Sequence, residues 1–170
     1  MLIVVSPAKT LDYDSPLPSL RATASYGGSN ADFDRIGDDQ IAMAVEGQWR
    51  TYSLTLAWSG YEETLRMVCS FEMEPPKDQL PRLYELINEM NDQCWAGGFT
   101  FWPDHKLMLY RYGLVLTGGQ VASPEQIDTM INSAVANCER YYPAIQLMVW
   151  GGQSPRDALQ VAIAEAYGRA

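Results

Sequence analysis

The sequence predicts an α+β domain: a mostly antiparallel sheet of about five strands with helices on one face, in the order βββ-α-ββ-α-α. Three observations predict it. Residues 49–58 and 65–73 alternate apolar and polar side chains with a period of two, the pattern of a half-buried antiparallel strand. Two later stretches repeat apolar residues at steps of three and four, the stripe of an amphipathic helix. Strands and helices also fall in groups rather than in alternation, which argues against a parallel βαβ plan.

Residues 2–5 are a short, wholly apolar strand candidate. Residues 14–31 read as loop and linker, because Asp14, Ser15, Pro16, Pro18, Gly27, Gly28 and Asn30 supply turn chemistry and little to bury. An apolar run over 41–45 ends at Gly47. In the next strand Tyr52, Leu54, Leu56 and Trp58 share a face, and in the third Leu65, Met67, Cys69, Phe71 and Met73 do. The joins at Gly47-Gln48 and at residues 59–63 are short enough for hairpins, so these three strands form a meander.

Pro75-Pro76 stops the third strand. A helix follows, with Asp78 as expected N-cap and Pro81 in the first turn, where no amide donor is needed. Its stripe is Leu80, Leu83, Tyr84, Ile87, Met90 and Cys94. Gly97-Gly98 is expected to end that unit, ahead of a hairpin of residues 99–102 and 107–116. Ser123-Pro124-Glu125-Gln126 is a capping box with proline at the first helical position. The buried face then runs Ile127, Met130, Ile131, Ala134, Val135, Cys138, Tyr142. Pro143 is expected to kink or interrupt this helix, which residues 145–150 would continue. A last helix starts at Ser154-Pro155 and buries Leu159, Ile163 and Ala166 before Gly168.

The chain has 170 residues, enough for one domain with a sizeable core and no staple. Twelve basic residues face twenty-one acidic ones, for a net charge of −9. That balance argues against nucleic acid and against anionic membrane surfaces, both of which are bound through Lys and Arg. Residues 1–31 are neutral, with Lys9 and Arg21 against Asp12 and Asp14, so residues 32–170 carry the whole charge. The division expected is an atypical N-terminal segment, 1–31, and a domain, 32–170. The apolar start lacks a basic leader and meets Pro7 at once, and no run approaches the ~20 apolar residues of a bilayer span. Cys69, Cys94 and Cys138 are odd in number and never at CxxC spacing, which fits reduced thiols in a cytoplasm.

Catalytic templates find little. His105 is the sole histidine and sits in an expected turn, so a multi-histidine metal site is impossible. Lys9-Thr10 follows an apolar strand as in a phosphate loop, but Ser6, Pro7 and Ala8 replace its glycines. Gly97-Gly98, Gly118-Gly119 and Gly151-Gly152 read as element ends. The carboxylate pairs Asp38-Asp39, Glu62-Glu63 and Glu72/Glu74 read as solvated surface. No catalytic, cofactor or metal residue is therefore assigned. The aromatics are more suggestive. Beyond those the core needs, Trp58, Trp95, Trp102, Tyr110, Tyr112 and Trp150 are candidates for holding a partner's apolar segment, where Trp and Tyr are enriched. The eight methionines suit an adaptable surface.

Residues 33–170 resemble the bacterial YbjN family. The resemblance rests on residues 33–40 (FDRIGDDQ), Trp49-Arg50-Thr51-Tyr52, and Phe71-Glu72-Met73-Glu74-Pro75-Pro76. Asn91-Asp92-Gln93-Cys94-Trp95, Tyr110-Arg111-Tyr112-Gly113 and the closing residues 162–170 add to it. It implies an acidic cytoplasmic protein of a kind described as a sensory-transduction regulator. It also implies a fold similar to the type III secretion chaperones, which are usually dimeric binders of partner polypeptides, and it brings no active site. Residues 2–13 (LIVVSPAKTLDY) instead resemble the opening of the YaaA peroxide-stress family, which would make Ser6 and Lys9 the residues to suspect. A composite chain joined near residues 19–32 is the expectation that reconciles the two. The expected function is thus a non-enzymatic, chaperone-like or regulatory module, homodimeric, with a polypeptide partner and no cofactor. The alternatives are a YaaA-like peroxide-stress, iron-limiting protein and an enzyme of undefined reaction.

Overall fold

A computed structural model describes the backbone of residues 3–7, 20–26, 29–31, 33–37 and 39–167, and the side chains of residues 39–164. Two antiparallel sheets are present among these residues. The smaller has the order β1-β2-β3, from β1 (Ile3–Pro7), β2 (Leu20–Tyr26) and β3 (Ser29–Ala31). The larger has six strands in the order β4-β5-β6-β7-β9-β8. They are β4 (Phe33–Gly37), β5 (Gln40–Glu46), β6 (Thr51–Ser59), β7 (Thr64–Glu72), β8 (Gly97–Trp102) and β9 (Leu107–Val115). With α1 (Leu80–Asp92), α2 (Pro124–Val149) and α3 (Pro155–Tyr167), the fold is α+β as expected.

The five expected strands of the main sheet are all found, and β4 adds an edge strand. Residues read as loop contain β2 and β3 instead; residues 14–19 of that stretch lie outside the described residues. The cause is visible in β2 itself. Leu20, Ala22, Ala24 and Tyr26 alternate with Arg21, Thr23 and Ser25, but alanine gives the apolar face too little contrast to stand out.

One core lies between the sheet and the helices. Tyr52, Leu54 and Leu56 of β6 and Leu65, Met67, Cys69 and Phe71 of β7 are buried, while Thr51, Ser53, Arg66 and Glu72 between them are exposed. Helix α2 closes this face with Ile127, Met130, Ile131, Ala134, Cys138 and Tyr141. Leu109 breaks the pattern: flanked by Ser70 and Thr100 on the outer face, it is buried nonetheless.

The helix ends depart from expectation in instructive ways. Asp78 caps nothing; it lies in a 3-10 turn (Lys77–Gln79), and Gln79 occupies the cap position without a side-chain capping bond. Pro81 still falls in the first turn. The buried stripe of α1 is Leu83, Leu86, Ile87 and Met90; Tyr84 faces solvent, and Cys94 lies beyond the helix end. Both bonds of the Ser123–Gln126 capping box form. Pro143 does not interrupt α2. A proline inside a helix costs ~3 kcal/mol, and the burial of Ala144, Ile145 and Met148, each fully covered, offsets it. Gly97-Gly98 opens β8 rather than ending a unit. A Cβ on Gly97 would lie 2.5 Å from the Arg111 carbonyl oxygen and 2.7 Å from the Tyr110 ring, so the close approach of β8 to β9 requires glycine there.

Strand β8 is a sheet edge, and α1 lies beside it. Asn91 of α1 accepts from the Phe99 amide at 2.6 Å and donates to the Phe99 carbonyl at 3.0 Å. Both outward backbone groups at the middle of the edge are therefore occupied.

Candidate functional site

The sheet register decides which candidate aromatics meet. Strand β6 ends, β7 begins, β9 ends and β8 begins at one end of the sheet. Trp58 stands there opposite Leu65, and Tyr112 opposite Gly97; both are half-buried against the core. Trp95, two residues before Gly97, is fully exposed at 100%. Trp102 lies at the opposite end, 44% exposed, with its ring 5.7 Å from that of His105. The turn after β8 makes a shallow recess of about 320 Å³ from Trp102, Pro103, Asp104 and His105 alone. Trp150 caps the far end of α2, 51% exposed. Five of the six candidates thus divide between two ends.

Tyr110 belongs to neither surface. It is 1% exposed, its ring packs edge-on against Phe99 at 5.0 Å, and its hydroxyl accepts from Asn137 at 3.2 Å and lies 3.4 Å from Ser133 Oγ. In this conformation it offers nothing to a partner, so the candidate surface narrows to the other five. Sequence reasoning missed Tyr61, which lies in the β6–β7 turn and is 99% exposed, at the same end as Trp58, Tyr112 and Trp95. Val115, the last residue of β9, and Val121, in the stretch that follows it, are also exposed. Tyr61 was legible only as a turn residue; its neighbours come from strands distant in sequence. From the β6–β7 turn to the start of β8 is two to three strand spacings, roughly 10–14 Å.

The opposite end is locked rather than open. Glu139 of α2 accepts from the Tyr52 hydroxyl at 2.6 Å, from the Gln48 amide at 2.9 Å and from the Trp49 amide at 3.4 Å. Burial, with the Glu139 carboxylate second, drives the Tyr52 pKa well above the usual tyrosine value. Trp49 stacks on Tyr142, and Arg50 lies 5.1 Å over the Phe71 ring while donating to the Glu72 carbonyl. These contacts fasten the β5–β6 hairpin to α2.

Other charged and thiol groups have structural partners. Glu62 pairs with Arg66, and Glu74 with Lys106 across 2.5 Å. Cys69 and Cys138 sulfurs lie 3.7 Å apart in the core, and the Cys138 pKa is raised by that contact and by burial. Burial likewise raises the Cys94 thiol, which lies beside Asn137, Arg140 and Tyr141. Thiols held protonated are poor nucleophiles. Among the described residues no group of His, Cys, Asp and Glu is arranged to hold a metal ion, and no helix is long and apolar enough to cross a membrane. Ser6 lies in β1, and Lys9 lies outside the described residues.

The sequence model of the YbjN family, described as "Putative bacterial sensory transduction regulator", matches residues 23–147. The match starts after the segment that resembles YaaA and inside the segment read as atypical. No curated protein matches the chain.

Proposed function

The chain belongs to the YbjN family, and from that premise we propose that it is a non-enzymatic regulatory module. It acts by holding an apolar segment of a partner polypeptide, in the manner of a chaperone. The observation that carries this reading is the aromatic end of the sheet: Tyr61 and Trp95 stand in water beside half-buried Trp58 and Tyr112. A tryptophan presents roughly 150–250 Å², and covering it returns about 25 cal/mol per Å². A short apolar segment laid across 10–14 Å reaches both exposed rings. The three cysteines are free thiols, which accords with a cytoplasmic setting. A homodimer belongs to the same reading.

Photo-crosslinking residues placed singly at Tyr61, Trp95, Trp49 and Trp150 test it in cells. The expected result is one polypeptide captured from both Tyr61 and Trp95 and from neither position at the other end. Equal capture from all four positions, or none from Tyr61 and Trp95, overturns the reading.

A further inference from the structure

Strands β7, β9 and β8 carry a second feature on the outer face of the sheet, bordered at the β8 edge by Asn91 of α1. An open depression of about 430 Å³ lies there, lined in part by Thr64, Arg66, Val68, Asn91, Arg111 and Gly113. Its size is that of a small-ligand site. By register Arg66 stands opposite Gly113, and Arg111 stands between Val68 and Gly98. The two guanidinium side chains are diagonal neighbours on adjacent strands, both exposed, in a chain that has only twelve basic residues. Arg66 pairs with Glu62, whereas no carboxylate among the described residues pairs with Arg111.

Gly113 is the telling residue. It lies inside the long strand β9, where glycine weakens a sheet. Its backbone is not in the left-handed region. A Cβ there would meet only Thr64 Cγ2, at 3.5 Å, which is ordinary contact. Gly97, by comparison, is required by the close approach described above. Neither conformation nor packing therefore asks for glycine at 113, and a side chain there would rise between the two arginines. A strand glycine can serve a bulge, a bend or the close approach of a ligand to the backbone, and the unbroken register through Gly113 removes the bulge.

We propose that this depression binds a small ligand through an oxyanion, phosphate or carboxylate, seated over Gly113 between Arg111 and Arg66. Guanidinium groups suit both anions because their donors match two oxygens at once. The Arg66–Glu62 pair is half-exposed, so the ligand shares or displaces it at small cost. Tyr112 also lines the depression, but the proposal does not rest on the partner-binding reading.

Backbone amide NMR of the whole chain, titrated separately with inorganic phosphate and with succinate, tests the proposal. Saturable shifts are expected at Gly98, Arg111 and Gly113. Arg111→Ala should weaken binding by at least about tenfold, and Glu62→Gln should tighten it by about two- to threefold. Lys77→Gln, the loss of an exposed cation outside the depression, should leave it unchanged. Gly113→Val should abolish binding while leaving the melting temperature the same or higher; if the variant fails to fold, Gly113→Ala takes its place. Saturation by phosphate alone assigns a phosphorylated ligand, and by succinate alone a carboxylate. Shifts that never saturate, or that fall equally in Lys77→Gln and Arg111→Ala, overturn the proposal. So does undiminished binding in the folded Gly113 variant.

Discussion

Replacing Glu139 by alanine should unfasten the β5–β6 hairpin from α2. The largest loss is at Tyr52, which is fully buried and bonds the carboxylate at 2.6 Å. Leaving a buried donor without its acceptor costs about 1–3 kcal/mol. The Gln48 and Trp49 amides are at an exposed turn, so water replaces most of what they lose, and together they add no more than about 1 kcal/mol. The sum is about 1–4 kcal/mol. For a chain of 170 residues, each kcal/mol moves the melting temperature by roughly 2–4 °C, so a fall of about 2–16 °C is expected. Thermal unfolding followed by circular dichroism measures it. Tyr52→Phe separates the two contributions. Alone it removes the hydroxyl and leaves Glu139 its two amides; in the double variant the Tyr52–Glu139 bond is already gone. The two changes should fall short of additivity by about 1 kcal/mol or more. Additivity to within about 0.5 kcal/mol would refute the reasoning, and so would a shift below about 1 °C for Glu139→Ala alone.

Three further outcomes are expected. Burial raises the pKa values of Tyr52, Tyr110 and Tyr141, the last to about 12 from an ordinary 10.0. The fold thus favours the neutral phenols, so their contribution is complete below pH 10 and is lost as pH rises towards 12; denaturant titrations across that window should show falling stability alongside rising tyrosinate absorbance. Gly97→Ala should destabilise by about 1–3 kcal/mol, because the new Cβ meets backbone at 2.5 Å, and chemical denaturation reads it directly. Trp95→Ala should change stability by less than about 0.5 kcal/mol, whereas Tyr110→Ala should cost about 3–5 kcal/mol. Equal losses in those two variants would show that Trp95 packs against something.

What was legible in the sequence depended on local contrast. Strands β6 and β7 were plain because each alternates large apolar residues with Thr, Ser, Arg or Glu, and one face is wet. The start of α2 was plain because the capping box is a chemical signature confined to four residues. Strand β2 was obscured by alanines, and the run of α2 through Pro143 depends on a core supplied by other elements. The aromatic end was half legible. Trp58, Tyr112 and Trp95 could be named, but not that they share one end of the sheet, because β9 sits between β7 and β8 in the sheet rather than following chain order. Tyr61 joins them only through that order. The depression beside Arg111 had no sequence signal beyond a glycine in a strand; only the space around its missing Cβ makes Gly113 informative.

The Asn91 bridge bears on how large an assembly of this chain can grow. A strand with unoccupied backbone groups recruits a copy, which offers the same strand to another, and addition has no natural stop. Asn91 holds the middle of that strand to its own helix. A second molecule arriving at β8 finds no continuous ladder to extend. Growth from that edge is terminated at the first subunit, and any contact made there is discrete and of finite number.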